Sequence, residues 1–252
     1  MVAAVKLQRR RRRHSSKCDS RVCLAVVIIP ICIVKSGGRN VENMRVIRFL
    51  IRHVKYLMGL RFLVSGKENL QVDGPYVIIS NHQSSLDILG LMEIWPDRCV
   101  SIAKRELLLT GAIGLMCWLG GTIFINRKKT DDAKSVMAAT ARTVVKDQVR
   151  LWIFPEGTRN HEGDLLPFKK GAFHLAVQAQ VPVIPVVFSS YSKFYVPKEK
   201  KFETGTIKLR ILPAIETKGM SPDDVSTLSE KCHDLMCSAF TEISDTAAGP
   251  SQ

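Results

Sequence analysis

The sequence predicts an α/β fold, in which a mainly parallel sheet is flanked by helices and preceded by an N-terminal membrane-associated helical segment. From residue 61 onward, short apolar runs of strand length alternate with longer segments of helical length. This order is typical of parallel sheets that are covered by helices. Hydrophobic residues make up 46% and charged residues 24% of the 252 residues, which is enough to build a sizeable core. The length fits one domain with a short N-terminal extension.

Seven segments have the length and apolar character of strands. They are Arg61–Val64, Tyr76–Ser80, Cys99–Ala103, Thr122–Ile125, Leu151–Phe154, Val183–Phe188 and Thr206–Leu212. Five segments are predicted as helices: Ser85–Glu93, Arg105–Trp118, Asp131–Asp147, Lys170–Gln178 and Ser221–Ile243. Residues that follow the carboxyl ends of parallel strands meet at one edge of the sheet, where α/β folds bind their ligands.

Composition divides the chain into four regions. Residues 1–21 are basic and polar and are expected to be disordered. Residues 22–60 contain an apolar segment and an amphipathic helix, and we expect this region to associate with a membrane. Residues 61–244 form the folded domain, and the small polar residues of 245–252 are expected to form a flexible tail.

The apolar segment Val22–Val34 is thirteen residues long and contains Pro30. A helix that crosses a bilayer needs about 20 residues, so this segment is short for a span. A re-entrant or interfacial anchor and an ordinary buried element both stay open. A secretory signal is disfavoured because no small-residue cleavage site follows Lys35.

Residues 41–60 are predicted as one helix with a basic face. Arg45, Arg48, Arg52 and Lys55 are spaced three, four and three residues apart, and an apolar stripe runs beside them. A helix of this kind can lie in the headgroup plane of a membrane. The pattern fits a soluble surface helix equally well, and the apolar segment upstream favours the membrane.

The charge balance favours an anionic partner. The net charge is +14, and Lys6, Arg9–Arg13 and Lys17 contribute seven of these charges. The remaining excess is spread over the folded part, which suits anionic lipid or a phosphorylated substrate. Nucleic acid is not an expected partner, because the basic residues are not interleaved with aromatic residues and no nucleic-acid-binding motif occurs.

The cysteines predict free thiols rather than a metal site. There are seven, an odd number, and none form a CxxC pair. Cys18 and Cys23 are separated by four residues and lack the pair of histidine partners that a zinc site would need, so zinc is not expected. Free thiols are typical of a reducing compartment.

The segment at residues 80–87 holds the first candidate chemistry. It follows an apolar strand and opens a helix, with His82 and Asp87 five residues apart. On one regular helix the two side chains would point roughly 140° apart, so they meet only if His82 lies in the turn before the helix. Asp87 would then hold one ring nitrogen and leave the other as a base. The pattern alone also fits a structural histidine, and Ser84 and Ser85 are interpreted as helix-start residues.

A second candidate is Phe154–Arg159, which follows the strand Leu151–Phe154. Gly157 permits close backbone approach, and the N–H groups beside it are able to cradle an anion. The guanidinium of Arg159 has the planar geometry that suits phosphate. In isolation the same letters also fit a surface turn with a solvated ion pair.

Further cations follow neighbouring strands. The apolar strand within Gly121–Arg127 ends at Arg127, and Lys104 ends another strand in the same way. In a parallel sheet both would lie at the same edge as Arg159, and three cations there favour a phosphate site. Each cation taken singly also fits a solvated charge at a strand end. The segment Val181–Val187 carries two prolines. These suggest an edge or entry strand near a groove, and a plain core strand fits the segment equally well.

These four segments, in this order, resemble the glycerophospholipid acyltransferase family, and within it the animal subgroup that acylates lysophosphatidic acid. The resemblance runs from about residue 38 to about residue 244. It also includes the stretches at residues 38–44, 102–107, 166–182 and 221–225.

The resemblance implies a transfer of a fatty acyl group from acyl-CoA to the sn-2 hydroxyl of 1-acyl-sn-glycerol 3-phosphate (lysophosphatidic acid), giving phosphatidic acid. His82 would be the general base, Asp87 would orient it, and the hydroxyl would attack the thioester directly. No bound cofactor or metal is implied. The implied substrate-binding residues are Glu156, Gly157, Thr158, Arg159, Lys104 and Arg127. Glu156 is expected to orient Arg159 or the backbone rather than to touch the phosphate.

The resemblance also implies an endoplasmic reticulum membrane location, with the lipid bilayer as a partner, and a role in phospholipid and triacylglycerol synthesis. The N-terminus departs from the subgroup, because a basic tail precedes only thirteen apolar residues. Two alternatives remain: an acyltransferase for another lysophospholipid, and a non-catalytic membrane protein that binds anionic lipid.

Overall fold

The computed structural model describes residues 27–126, 130–161 and 164–245. Within these ranges the chain builds a seven-stranded sheet and a separate two-stranded hairpin. The sheet strands are β1 (Leu60–Ser65), β2 (Val77–Ser80), β3 (Cys99–Lys104), β4 (Ile123–Ile125), β5 (Arg150–Ile153), β6 (Val183–Phe188) and β9 (Gly205–Ile211). The hairpin pairs β7 (Tyr195–Val196) with β8 (Lys201–Phe202). All seven predicted strands are confirmed to within a residue at each end.

The strand order is β1-β9-β6-β2-β5-β3-β4, and every pairing but one is parallel. The exception joins β6 to β9, where Val186 pairs with Ile211 in antiparallel register. Antiparallel neighbours need no crossover helix, and the connection between β6 and β9 contains only turns and the small hairpin. The mainly parallel sheet is thus confirmed, with one reversal that sequence patterning did not predict.

Helices cover both faces of the sheet. They are α1 (27–36), α2 (Asn43–Ile51), α3 (Val54–Met58), α4 (Asp87–Ile94), α5 (Ala112–Leu119), α6 (Thr130–Lys146), α7 (Gly171–Ala179) and α8 (Val225–Asp245). Residues of α1, α2, α4 and α5 share one buried apolar cluster, which we call the first layer. Residues of α6, α7 and α8 share the other cluster, the second layer. β2, β5 and β6 are buried throughout or nearly so, as expected for strands covered on both faces.

The single helix predicted for residues 41–60 is wrong, because the chain breaks into α2 and α3 and then enters β1. Gly59 ends α3 with a φ of 66°, a left-handed conformation that favours glycine. The helix predicted for Arg105–Trp118 is also interrupted. A 3-10 helix, Arg105–Leu109, is followed by Gly111 at φ 62° and ψ −128° before α5 begins.

The predicted basic face of α2 and α3 contacts protein. Arg45 Nη2 lies 2.9 Å from Asp97 Oδ2, and Lys55 Nζ lies 2.7 Å from Glu93 Oε1. Arg48 donates to the carbonyl of Met92 at the C-terminal end of α4, where cations are favourable. These three cations therefore link α2 and α3 to α4 and to Asp97 beyond its end, and the Arg45 side chain remains 59% exposed.

The N-terminal apolar segment is partly described. Residues 27–36 form α1, whose Ile28 and Cys32 are fully buried in the first layer, while Val34 is 87% exposed. Among the described residues, no helix combines the length and apolarity needed to cross a membrane. The expectations for residues 1–21 and for most of the C-terminal tail concern residues outside the described ranges.

Candidate active site

The motif residues meet at the carboxyl edge of the parallel strands. Ile79 of β2 pairs with Ile153 of β5, and Ser101 of β3 pairs with Trp152. His82 therefore follows β2 at the level where Glu156 follows β5. Lys104 ends β3 at the same edge. The predicted placement at one rim of the sheet is present for Lys104 and for the loop that carries Arg159.

His82 and Asp87 are in direct contact. His82 Nδ1 lies 2.6 Å from Asp87 Oδ2, with Asp87 fully buried and the His82 side chain 20% exposed. The backbone N–H groups of Gln83 and Ser84 also donate to Asp87, at 2.9 and 3.1 Å. This network assigns the proton of the neutral ring to Nδ1. Nε2 is then left as a hydrogen-bond acceptor, which is the arrangement of a base.

The turn before α4 makes this contact possible. Asp87 is the first residue of α4 and folds back onto the turn, and Ser84 Oγ accepts from the N–H of Leu86 at 2.8 Å. Ser84 thus has the helix-start role predicted for it. A regular helix through His82 would separate the ring from the carboxylate, so the irregular turn is part of the site.

The side-chain amides of Asn81 and Gln83, on either side of His82, bind the turn to the C-terminal end of β6. Asn81 accepts from the N–H of Phe188 at 2.8 Å and donates to its carbonyl at 2.9 Å, as a neighbouring strand residue would. Gln83 Nε2 donates to the carbonyl of Ser189 at 2.9 Å. Sequence reasoning missed Asn81 and Gln83. Their position on either side of a candidate base was the sequence feature that could have indicated a role in the site.

Phe154 supports the imidazole from the neighbouring strand end. The two ring centroids are 3.9 Å apart with an interplanar angle of 20°. Stacking on one face restricts rotation of His82 about its side-chain bonds and shields that face from water. With Nδ1 held by Asp87 and one face stacked on Phe154, the plane of the ring and the position of Nε2 are restricted.

Glu156 joins the two motif loops. Its Oε1 accepts from the His82 N–H at 2.7 Å, and its Oε2 accepts from the Leu166 N–H at 3.0 Å. The Asn160 N–H donates to the His82 carbonyl at 2.7 Å, giving a second link. Burial raises the pKa of Glu156, and the two backbone donors oppose that increase. Glu156 was expected to orient either Arg159 or the backbone. Its observed contacts are with backbone N–H groups, which fits the second role.

The remaining motif residues form the open side of the site. Gly157 has a φ of 71°, and a Cβ there would lie 2.8 Å from Lys169 Nζ. This places Lys169, a cation not singled out from sequence, beside the loop. Arg159 and Lys104 are exposed at the same edge. Arg127 lies outside the described residues.

The described cysteines and acids do not form a metal centre. No group of three or more His, Cys, Asp or Glu residues within the described ranges is arranged to hold an ion. The five described cysteines are free thiols, and burial raises the pKa of Cys232 to about 12. At neutral pH such a thiol stays protonated and poorly nucleophilic.

A cavity of about 650 Å³ lies elsewhere, lined in part by Arg39, Arg98 and Lys146. Arg98 directly precedes β3, so the cavity borders the amino ends of the strands. The two motif loops that carry His82 and Glu156 do not line it, whereas Gly121 and Ile123 of the third motif segment do. We therefore place the chemistry at the opposite edge, around His82.

The site combines an imidazole held by a buried carboxylate with exposed cations at the rim of an α/β sheet. The family model described as Acyltransferase matches residues 61–189. This range contains both motif loops. The chain belongs to the acyltransferase family.

The relatives agree with this membership. The chain is 55% identical to 1-acyl-sn-glycerol-3-phosphate acyltransferase alpha of Homo sapiens, over 90% of this chain and 79% of that protein. It is 53% identical to the beta protein of the same species, over 86% and 78%. It is 38% identical to 1-acyl-sn-glycerol-3-phosphate acyltransferase of Saccharomyces cerevisiae, over 86% and 72%.

A solved structure shows the same fold. The crystal structure of the 1-acyl-sn-glycerophosphate (LPA) acyltransferase PlsC from Thermotoga maritima superposes with a TM-score of 0.63 at 23% identity, covering 92% of this chain and 98% of that one. The resemblance stated from the four motif segments is therefore confirmed at the level of family and fold.

Proposed function

We propose that this chain transfers a fatty acyl group from acyl-CoA to the sn-2 hydroxyl of 1-acyl-sn-glycerol 3-phosphate, giving phosphatidic acid. The observation that carries the proposal is the 2.6 Å contact between His82 Nδ1 and buried Asp87. The printed names of the alpha and beta relatives support the choice of acceptor.

In the proposed reaction, His82 Nε2 removes the proton of the acceptor hydroxyl as its oxygen attacks the thioester carbonyl carbon. The new C–O bond forms, the C–S bond breaks, and the CoA thiolate takes the proton back from His82. Asp87 stabilises the transient imidazolium through Nδ1. A positioned base of this kind contributes about 10²–10⁴ in rate.

The acceptor phosphate is assigned to the cations on the open side of the site. Arg159 and Lys104 are exposed at the rim, Lys169 lies beside Gly157, and Arg127 is included from the family pattern. Glu156, Gly157 and Thr158 shape the loop that presents Arg159. Arginine and lysine at a strand-end rim suit a phosphomonoester.

The lipid bilayer is proposed as a partner through the first layer. The large exposed apolar residues on the α1–α5 side are Val27, Ile31, Ile33, Val34, Phe49, Tyr56, Leu57, Ile88, Leu108, Leu109, Leu115 and Trp118. On the second layer, the described residues of this kind are Val145 and Leu235, and Leu63 on the edge strand β1 is 56% exposed. An apolar surface concentrated on one side marks an interaction face. The endoplasmic reticulum membrane is the location implied by the family resemblance.

The proposal is tested by following release of free CoA thiol from acyl-CoA in the presence of lysophosphatidic acid and vesicles. Wild type is compared with His82→Ala and with His174→Ala, an exposed histidine on α7. We expect acceptor-dependent release that falls by roughly 10²–10⁴ in His82→Ala and is unchanged in His174→Ala.

Three results contradict the proposal. Release that does not need the acceptor points to hydrolysis. Release with another lysophospholipid alone assigns a different acceptor. Vesicle binding by wild type without any thiol release identifies a non-catalytic lipid-binding protein.

A further inference from the structure

Tyr191 lies behind the catalytic pair, in the turn that follows β6. Its side chain is 3% exposed and its ring packs against Phe194 with centroids 5.7 Å apart. The Tyr191 N–H donates to Gln83 Oε1 at 3.3 Å, and the Gln83 N–H donates to Asp87 Oδ2 at 2.9 Å. The backbone of Tyr191 is therefore one residue removed from the carboxylate that holds His82.

The Tyr191 hydroxyl is buried and lacks a hydrogen-bond partner of good geometry among the described residues. Buried hydroxyl groups are nearly always paired, because an unpaired one loses its bonds to water without replacement. If the hydroxyl formed no hydrogen bond, phenylalanine at this buried position would be more stable than tyrosine. The presence of tyrosine therefore indicates that the hydroxyl has a hydrogen-bonding role.

Asp87 has unused acceptor capacity. Its Oδ2 accepts from His82 Nδ1 and from two backbone N–H groups, those of Gln83 and Ser84. Its Oδ1 accepts, among the described residues, only a share of the Ser84 N–H at 3.1 Å. A carboxylate offers about four acceptor positions. The Asp87 carboxylate is fully buried, and a buried charge needs hydrogen-bond partners. We therefore expect another donor near Oδ1.

The two groups are electrostatically coupled. Burial raises the pKa of Tyr191 well above its usual range, and the nearby Asp87 carboxylate raises the Tyr191 pKa further. The hydroxyl therefore keeps its proton at every working pH and is available as a donor. Glu156, from the loop after β5, is a further acidic group whose charge interacts with His82 and Asp87.

We propose that Tyr191 is a positioning residue: its hydroxyl is the remaining donor to the Asp87 carboxylate and, through Asp87, controls how strongly His82 holds a proton. Donation to the carboxylate withdraws negative charge from it. The ring then releases its proton more readily to the departing CoA thiolate. The inference rests on the proposed function insofar as His82 is taken as the base.

The test compares Tyr191→Phe with Tyr76→Phe. Tyr76 is a fully buried tyrosine at the other end of β2, and its hydroxyl donates to the Leu70 carbonyl at 3.1 Å. Both variants lose one buried hydroxyl, but only Tyr191 faces Asp87. The pH dependence of kcat/KM is measured for each, because its acidic limb reports protonation of the base in the free enzyme.

We expect the acidic limb of Tyr191→Phe to move to higher pH. On the acid side of neutrality, kcat/KM should fall on the order of tenfold, the scale of one hydrogen bond to a charged group. Tyr76→Phe should lower the midpoint of thermal unfolding while leaving the limb in place. A Tyr191→Phe profile that is merely scaled down, with its limb unmoved, would overturn the inference in favour of a packing role.

An NMR titration of the His82 ring protons, assigned by their absence in His82→Gln, separates this inference from the proposed function. If wild type lacks transferase activity but the His82 titration moves to higher pH in Tyr191→Phe, the function fails and the positioning role holds. If wild type is active and the titration does not move, the positioning role fails alone.

Discussion

Glu156 connects the two motif loops through backbone contacts. It is 4% exposed and accepts from two N–H groups, those of His82 and Leu166. A carboxylate accepts at both oxygens, whereas an amide accepts at one. An acidic residue beside a proposed anionic substrate is explained by the loops, which present two N–H groups that need an acceptor. Both carboxylate oxygens of Glu156 are used for these protein contacts.

Replacing Glu156 by Gln tests this interpretation. The side-chain oxygen still accepts from one backbone N–H, and the other donor is left facing an NH₂ group. We expect the free energy of unfolding to fall by about 1–3 kcal/mol, the cost of an unpaired buried donor. Urea denaturation of the variant beside Glu199→Gln, an exposed glutamate near the small hairpin, measures the difference. Equal stability of the two variants would show that the bridge is dispensable.

At the scale of elements, the segment between β3 and β4 is shaped by one glycine. Gly111 separates the 3-10 helix Arg105–Leu109 from α5 and adopts φ 62° and ψ −128°. This backbone region is essentially restricted to glycine. Apolar helical periodicity continues through the break, which explains why the sequence predicted one helix over Arg105–Trp118.

The Gly111→Ala substitution tests the backbone requirement in isolation, because a Cβ at this position meets no atom within 4 Å. We expect a loss of about 1–3 kcal/mol in the free energy of unfolding from strain alone. Gly171→Ala is the matched control. Its φ is not in the left-handed range, its Cβ would lie 3.8 Å from Met137 Cε, and alanine favours the helix there. Thermal unfolding of both variants should give shifts of opposite sign, and a neutral Gly111→Ala would refute the strain argument.

At the scale of the whole molecule, the two layers differ in their outer surfaces. Leu109 is 87% exposed at the end of the 3-10 helix that follows Lys104. The apolar face therefore reaches the rim that carries the proposed site. A bilayer on this side would bring lipid substrates to His82 without a passage through water.

We predict that Leu109→Gln weakens binding to vesicles that contain anionic lipid, because removing one exposed leucine from an apolar interface costs roughly 1–2 kcal/mol, or about 5- to 30-fold in affinity. Leu235→Gln changes an exposed leucine on the second layer and should bind as wild type does. Vesicle co-sedimentation measures both. Equal weakening by the two variants would argue against a membrane face on the first layer.

The sequence by itself determined the strands, the α/β class and the segments that carry chemistry, because these depend on local apolar runs and on residue types at short spacing. It also placed His82 in the turn before a helix, since no regular helix brings it to Asp87. Family membership followed from the order of the motif segments, and the comparisons confirm it. The catalytic and substrate-binding roles of these residues stay predictions.

Only the tertiary structure decided how distant parts of the chain meet. The parallel pairing of β6 with β2 brings Tyr191 and the end of β6 to the turn that holds His82. The stacking of Phe154 on His82 joins residues 72 positions apart. Lys55 of α3 binds Glu93 of α4, and Arg45 of α2 binds Asp97 just beyond α4. Such contacts depend on which elements become neighbours, and local periodicity carries no information about that choice.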